Sequence, residues 1–373
     1  MPPGRIAPID RMRGLVMVLM TSDHAAHVFY RDFMMRDTAF WGRYDAPLPA
    51  VPFLHRWLSH LCAPTFVFLA GTALALSMAR RRAQHALAGT DRDLLLRGAL
   101  LIGLDLTLIS ALWGGAVGGR FMLQVLFAIG SAFLLMIPLR RLPTASLVAL
   151  GLAILVGHEA LVSLGRVADA GPSAATALVV SGGVAGPALV LYPVLPWLAF
   201  LLLGHGFGSR VARGADPVPV LVAGAAFGLA AWALVRAADG YGNLFMTGVH
   251  DGPLRWLQVS KYPPSIAFAG LELGLMAGVL ALLFVAARRT PSGGDRGVLL
   301  VLGQTALFYY VLHVSLLEGA GALLRVWFGA DAVPGGLGRT WLAVALTVAV
   351  LYPACLAFRA FKRAHPRSLV RLI

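Results

Sequence analysis

Long apolar runs alternate with short polar breaks along most of this chain. Ten runs, Gly14 to Tyr30, Leu61 to Met78, Leu94 to Val117, Phe121 to Leu139, Ala145 to Leu164, Ala188 to Phe207, Val218 to Val235, Ser265 to Ala287, Val298 to Leu317 and Trp341 to Phe361, approach the roughly 20 residues a helix needs to cross a bilayer. They predict an all-α, polytopic integral membrane protein of about ten transmembrane helices. No linker rich in Pro, Ser or charge separates two soluble parts, so residues 1–373 are expected to form a single transmembrane domain. Three long non-apolar stretches remain, Arg31 to His60, Gly165 to Pro187 and Arg236 to Pro264. Loops of that length are usually functional or disordered. The first carries Trp41, Tyr44, Phe53 and Trp57 and is expected to pack as a lid. Within the second, Ala174 to Pro187 reads as loop or as a short re-entrant piece.

Composition agrees with the pattern. Hydrophobic residues make up 58% and charged residues 13% of the 373, and the mean hydropathy is +0.78, values no water-soluble domain of this length shows. The formal charge of +14 would suit nucleic acid, but its distribution points elsewhere. With the N-terminus inside, 19 of the 31 Lys and Arg fall on cytoplasmic segments and 11 on the opposite face, while Arg13 starts the first helix. The positive-inside rule therefore predicts cytoplasmic N- and C-termini, with anionic lipid headgroups as the partner of the charge and no nucleic acid. Asp23 and His24 interrupt the first apolar run, which argues for a retained helix and against a cleavable signal peptide. Cys62 and Cys355 are expected near opposite faces, too far apart for a disulfide, and neither has metal-ligand spacing, so no metal is expected.

Ionisable groups at membrane depth are costly and mark a site by default. Arg13 and His24 are eleven residues apart, which on a helix leaves them about 20° apart in direction and roughly 16 Å apart along the axis. His27 falls on the same stripe. The plain alternative is that Arg13 reaches for headgroups and His24 is a packing histidine; Asp23, His24 and His27 together weaken it. On the predicted topology His24, His27, His60, Lys261, Tyr262, Glu272 and His313 lie at one level near the outer surface. Asp105 is placed near mid-membrane, bonded either to one of the histidines or to Gln124 or a backbone group. His158, Glu159 and His205 read as structural boundary residues. A histidine beside carboxylates at the bottom of an outward-facing cavity can remove a proton from a hydroxyl or amine nucleophile. No glycine-rich phosphate loop, HExxH or nucleophile elbow is present. The same groups would also serve a proton-coupled transporter through a relay of His24, Glu272 and His313, and a non-catalytic glycan-binding subunit is a third class.

Five motifs carry a resemblance. Ile9-Asp10-Arg11-Met12-Arg13-Gly14 followed by Asp23-His24, Arg56-Trp57-Leu58-Ser59-His60 running into Phe66 to Thr72, Leu191 to Trp197, Lys261-Tyr262-Pro263-Pro264-Ser265, and Phe308 to His313 occur in that order. Together they are similar to bacterial members of the heparan-alpha-glucosaminide N-acetyltransferase catalytic-domain family, within the wider transmembrane acyltransferase superfamily, over about residues 10–318. The resemblance implies a multi-pass protein of the bacterial inner membrane. It would take an acyl group, with acetyl the expected one, from cytoplasmic acetyl-CoA or another acyl-CoA to a glycan or amino-sugar acceptor at the outer face. Arg13 would lie on the donor side and His24, with Asp23, towards the acceptor. In the lysosomal relatives the position matching His24 is an asparagine and the catalytic histidine follows in the first outer loop, where this chain offers His55 and His60. The catalytic histidine is therefore open between His24 and His60, and a homo-oligomer is left open too.

Overall fold

Lipid offers no partner to backbone N–H and C=O groups, so apolar runs of this length satisfy them internally as helices. The computed structural model describes residues 5–30, 48–113, 118–166, 172–289, 296–329, 333, 335–365 and 368, and within them each of the ten runs is helical over most of its length. In chain order the elements are α1 (Ala7–Phe29), α2 (Ala50–Leu58), α3 (Cys62–Ala83), α4 (Thr90–Leu104), α5 (Ser110–Trp113), β1 (Phe121–Leu123), α6 (Val125–Leu139), α7 (Thr144–Arg166), α8 (Ala174–Thr176), β2 (Gly183–Ala185) and β3 (Ala188–Val190). There follow α9 (Val194–Ala212), α10 (Pro217–Ala238), α11 (Pro253–Leu257), α12 (Ile266–Arg289), α13 (Val298–Gln304), α14 (Ala306–Phe328) and α15 (Leu337–Ala364). A tight turn over Ser59–Leu61 joins α2 to α3, and a wide turn over Asp105–Ile109 joins α4 to α5.

Among the described residues eight helical segments are long and apolar enough to cross a membrane: Ala50–Ala83, Thr90–Trp113, Thr144–Leu164, Val194–Ala212, Pro217–Ala238, Ile266–Arg289, Ala306–Phe328 and Leu337–Ala364. The other two predicted spans are helical as well. However, α1 carries Asp10, Arg11, Arg13 and Asp23, and α6 has only 15 residues.

Several boundaries differ from the sequence reading for identifiable reasons. Helix α1 begins at Ala7 with Pro8 in its first turn, where a missing N–H costs nothing, so Arg13 lies well inside the helix. The predicted spans at Phe121 and Ala188 begin instead as strands. β1 pairs in parallel with β3, Phe121 facing Ala188, and β2 pairs antiparallel with β3, Gly183 facing Val190. Pro193 then caps α9 from an extended conformation, and the residue before a proline is biased away from the helical region. The stretch predicted as loop or re-entrant piece is α8, a wide turn over Ala177–Ser181 and the β2–β3 hairpin. Of the expected lid, Trp41 and Tyr44 lie outside the described residues, while α2 buries Phe53.

The described chain forms two compact units. One gathers the described residues of Ala63–Ala281, the other those of Arg5–Met35, Pro49–Cys62 and Leu282–Ile373. Close backbone approach at glycines is the packing device in both. In the first unit a Cβ on Gly204 would stand 1.9 Å from the carbonyl oxygen of Phe68, and one on Gly71 would stand 2.0 Å from that of Leu201. There the one proton of Thr72 Oγ1 is shared between Phe68 O on its own helix and Gly204 O across the interface, both at 3.0 Å, the second a contact of the kind that helps bind membrane helices. In the second unit a Cβ on Gly303 would stand 1.7 Å from Asp10 O, and one on Gly14 would stand 1.9 Å from Leu299 O, so α1 and α13 touch backbone to backbone. Cys62 and Cys355 are both buried, and neither is in a disulfide.

Candidate active site

The second unit brings together two of the predicted residues that are 289 positions apart in the chain: Nδ1 of His24 on α1 lies 2.9 Å from Nε2 of His313 on α14. The two rings are within 3° of parallel with centroids 5.0 Å apart, an edge-to-edge arrangement along the N···N line. His313 is fully buried and His24 is 9% exposed. A second rung lies one turn earlier on both helices, where Thr21 Oγ1 and Tyr309 Oη are 2.9 Å apart. Thr21 gives its only hydroxyl proton to Met17 O at 2.8 Å, so the Tyr309 hydroxyl is the donor in that rung. Tyr310 closes the pair from the side, its ring edge-on to both His24 and His313.

Asp23, next to His24 in sequence, faces elsewhere. Arg56 Nη1 donates to both of its oxygens at 2.6 Å and Ser59 Oγ lies 2.8 Å from Oδ1. This charge-assisted pair fastens α2 and the following turn to α1. The linear pattern gives Asp23 no partner, although Arg56 and Ser59 both stand in the second of the five motifs. His60 is buried in the turn after α2, and His27 is half-buried one turn beyond Asp23. His55, the other loop histidine, places Nε2 3.3 Å from Ser22 O and packs edge-on against Tyr30 and Trp341.

Arg13 sits further along α1. Its Nη1 donates to Asp10 Oδ1 at 2.9 Å and to Gly303 O at 3.2 Å, beside the glycine contact of α1 with α13. Gln304 Nε2 donates to the other Asp10 oxygen at 3.3 Å, and Arg359 Nη1 to Gln304 Oε1 at 3.3 Å.

The remaining candidates belong to the first unit. Lys261 Nζ lies 5.2 Å from the centroid of the Tyr262 ring, and the hydroxyls of Tyr262 and Tyr192 are 3.4 Å apart, so two of the five motifs pack on each other. Glu272 is buried on α12 within the electrostatic reach of Lys261, without an ion pair between them. Asp105 takes the backbone alternative: its Oδ2 accepts from the peptide N–H of Gln124 at 2.7 Å and of Phe127 at 3.0 Å, satisfying two donors at the start of α6 that would otherwise be orphaned. Glu159 does similar work, accepting from Gly242 N at 2.7 Å and Leu244 N at 3.2 Å.

Residues 5–218, more than half of the chain, match the family model described as heparan-alpha-glucosaminide N-acetyltransferase, catalytic. The match takes in Arg13, Asp23, His24, His27, His60 and Asp105 and ends before Lys261, Tyr262, Glu272 and His313. No curated protein matches the chain.

Proposed function

Because the chain belongs to the heparan-alpha-glucosaminide N-acetyltransferase catalytic family, we propose that it is an integral membrane acyltransferase of the bacterial inner membrane. It moves an acyl group, acetyl in the simplest case, from cytoplasmic acyl-CoA to an amine or hydroxyl of a glycan or amino sugar at the outer face. The observation that carries this reading is the His24–His313 bond, a buried imidazole held in one orientation on the helix that heads the family match. A general base needs both a lone pair and a fixed direction. In the reaction the acceptor N–H or O–H gives its proton to His24 as the nucleophile bonds to the thioester carbonyl carbon. The C–S bond breaks, and the departing thiolate takes that proton.

In this reading Arg13 meets the donor. One nitrogen of its guanidinium is spent on Asp10 and Gly303, while Nε and Nη2 take no partner among the described residues, leaving one edge of the fork for an anionic group. Asp23 supports the base by anchoring α2. His27 lies on the acceptor side of α1, and in the first unit Asp105 holds α6 in place.

Proteoliposomes supplied with labelled acetyl-CoA and an acceptor panel test the proposal. His24→Ala should lower turnover by about 10²- to 10⁴-fold while the protein keeps its thermal stability, and His60→Ala should stay near the parent. The reverse pattern would move the base to His60. Flux of an unmodified solute with no covalent acetyl product would make the chain a transporter.

A further inference from the structure

Hydrogen-bond direction around His313 is set by an atom that can only accept. His313 Nδ1 lies 3.0 Å from the carbonyl oxygen of Tyr309, so Nδ1 must carry a proton and donate it. A neutral imidazole with Nδ1–H presents a lone pair at Nε2. That Nε2 is the atom 2.9 Å from His24 Nδ1, so in the neutral pair His24 Nδ1 is the donor and its own lone pair is on Nε2. The proton order runs one way, from His24 Nδ1–H to His313 Nε2 and from His313 Nδ1–H to Tyr309 O.

From this geometry we infer that His313 is a positioning residue, which fixes His24 in the Nδ1–H tautomer and makes Nε2 of His24 the basic nitrogen. His313 lies outside the residues 5–218 that the family match covers, and no carboxylate is needed for the task. The tautomer of a histidine is set by the bond its other nitrogen makes, and here that bond is to a second, neutral imidazole. The Tyr309-to-Thr21 rung, with the Thr21 proton committed to Met17 O, holds α14 in register on α1 so that His313, four residues after Tyr309, stands opposite His24, three residues after Thr21. When His24 accepts a proton at Nε2, the positive charge spreads towards His313 Nε2 through the same bond, with no rearrangement of either ring. The kinetic arm of the inference rests on the proposed role of His24 as base; the tautomer itself does not.

The tests separate the two. In liposomes, solid-state NMR of the full chain with ¹⁵N-labelled histidine, assigned with His24→Asn, should show His24 protonated at Nδ1 and unprotonated at Nε2. A parent spectrum with His24 as the Nε2–H tautomer would overturn the inference regardless of activity or of any variant's folding. In the acetyl-transfer assay, His313→Leu removes the acceptor and should lower kcat about 10²-fold or more, in line with the loss when a base is left in the wrong tautomer, with acceptor KM changed less than about threefold. His313→Gln supplies an amide oxygen to accept from His24 Nδ1–H and should recover kcat to within about tenfold of the parent. If stable His313→Leu protein turns over within about twofold of the parent, the positioning role is wrong. Should His24→Ala remain fully active while the NMR shows the Nδ1–H tautomer, the histidine pair stands and the acyltransfer role of His24 falls.

Discussion

A guanidinium presents two edges of donors, and in Arg13 one nitrogen already serves a structural purpose, bonding Asp10 and the Gly303 carbonyl. The inner-end role proposed for it depends on the other edge. Lysine would keep the charge and could keep one of those bonds, but it lacks the planar fork that suits a phosphate or a polarised carbonyl. Arg13→Lys should therefore raise the KM for acyl-CoA by more than it raises that for the acceptor, measured in detergent with each substrate varied separately. Unchanged donor KM and kcat would leave Arg13 as an anchor of α1 on α13. At this scale the sequence named most of the residues and few of their partners. His24 and His313 each stood out as polar groups in apolar helices. Nothing in a linear pattern couples positions 289 apart, or tells that Asp23 is answered by Arg56. Arg236 shows the same limit from the other side. Standing just after the seventh apolar run, it is one of the 11 cations that the predicted topology puts on the outer face, yet it is 1% exposed and donates to Trp256 O at 3.2 Å, Asn243 Oδ1 at 2.5 Å, Met246 O at 2.6 Å and Arg255 O, fastening the chain that follows α10.

Elements were far more legible than partners, because a run of apolar residues long enough to cross a bilayer has only one economical structure in lipid. The exceptions are short. β1 and β3 are as apolar as the helices they precede, and hydropathy alone does not separate three strand residues from the start of a helix. Contact between elements was legible only as composition: the sequence contains 42 glycines, and the structure shows which of them let backbones meet. Gly303 is the sharpest case, with a hypothetical Cβ 1.7 Å from Asp10 O, a backbone atom that cannot swing aside. Gly303→Ala must push α13 off α1. Overpacking of this kind costs about 1–3 kcal/mol, and a thermal-shift measurement in detergent should show a clear loss of stability. Among the described residues Gly319 on α14 has no atom beyond its own stretch of helix within 4 Å of the place a methyl group would take, so Gly319→Ala should leave the melting temperature unchanged or slightly higher. Equal behaviour of the two variants would mean that the α1–α13 contact does not bear on stability.

For the whole molecule the open quantity is the number of crossings, and charge and count constrain it together. The basic residues assigned to the inner face cluster at helix ends, Arg80, Arg81 and Arg82 closing α3, Arg288 and Arg289 closing α12, and Lys362 and Arg363 closing α15. Of those assigned to the outer face, Arg56, Arg236, Arg255 and Lys261 are buried, whereas among the described residues only Arg359 is buried on the inner side. Buried charges cannot hold headgroups, so among the described residues the accessible charge is more lopsided than the raw 19 against 11, in the direction the positive-inside rule requires. Parity supplies the rest. Eight crossings by the long apolar helices alone, or ten with α1 and α6 included, leave both ends of the chain on one side. Nine, with only one of α1 and α6 spanning, would separate them. Reporters fused at the N-terminus and, in a second fusion, at the C-terminus should therefore both read cytoplasmic. An outer-face signal from either fusion alone would mean an odd count and would overturn the predicted topology, together with the common outer level it assigns to residues on α1 and α14.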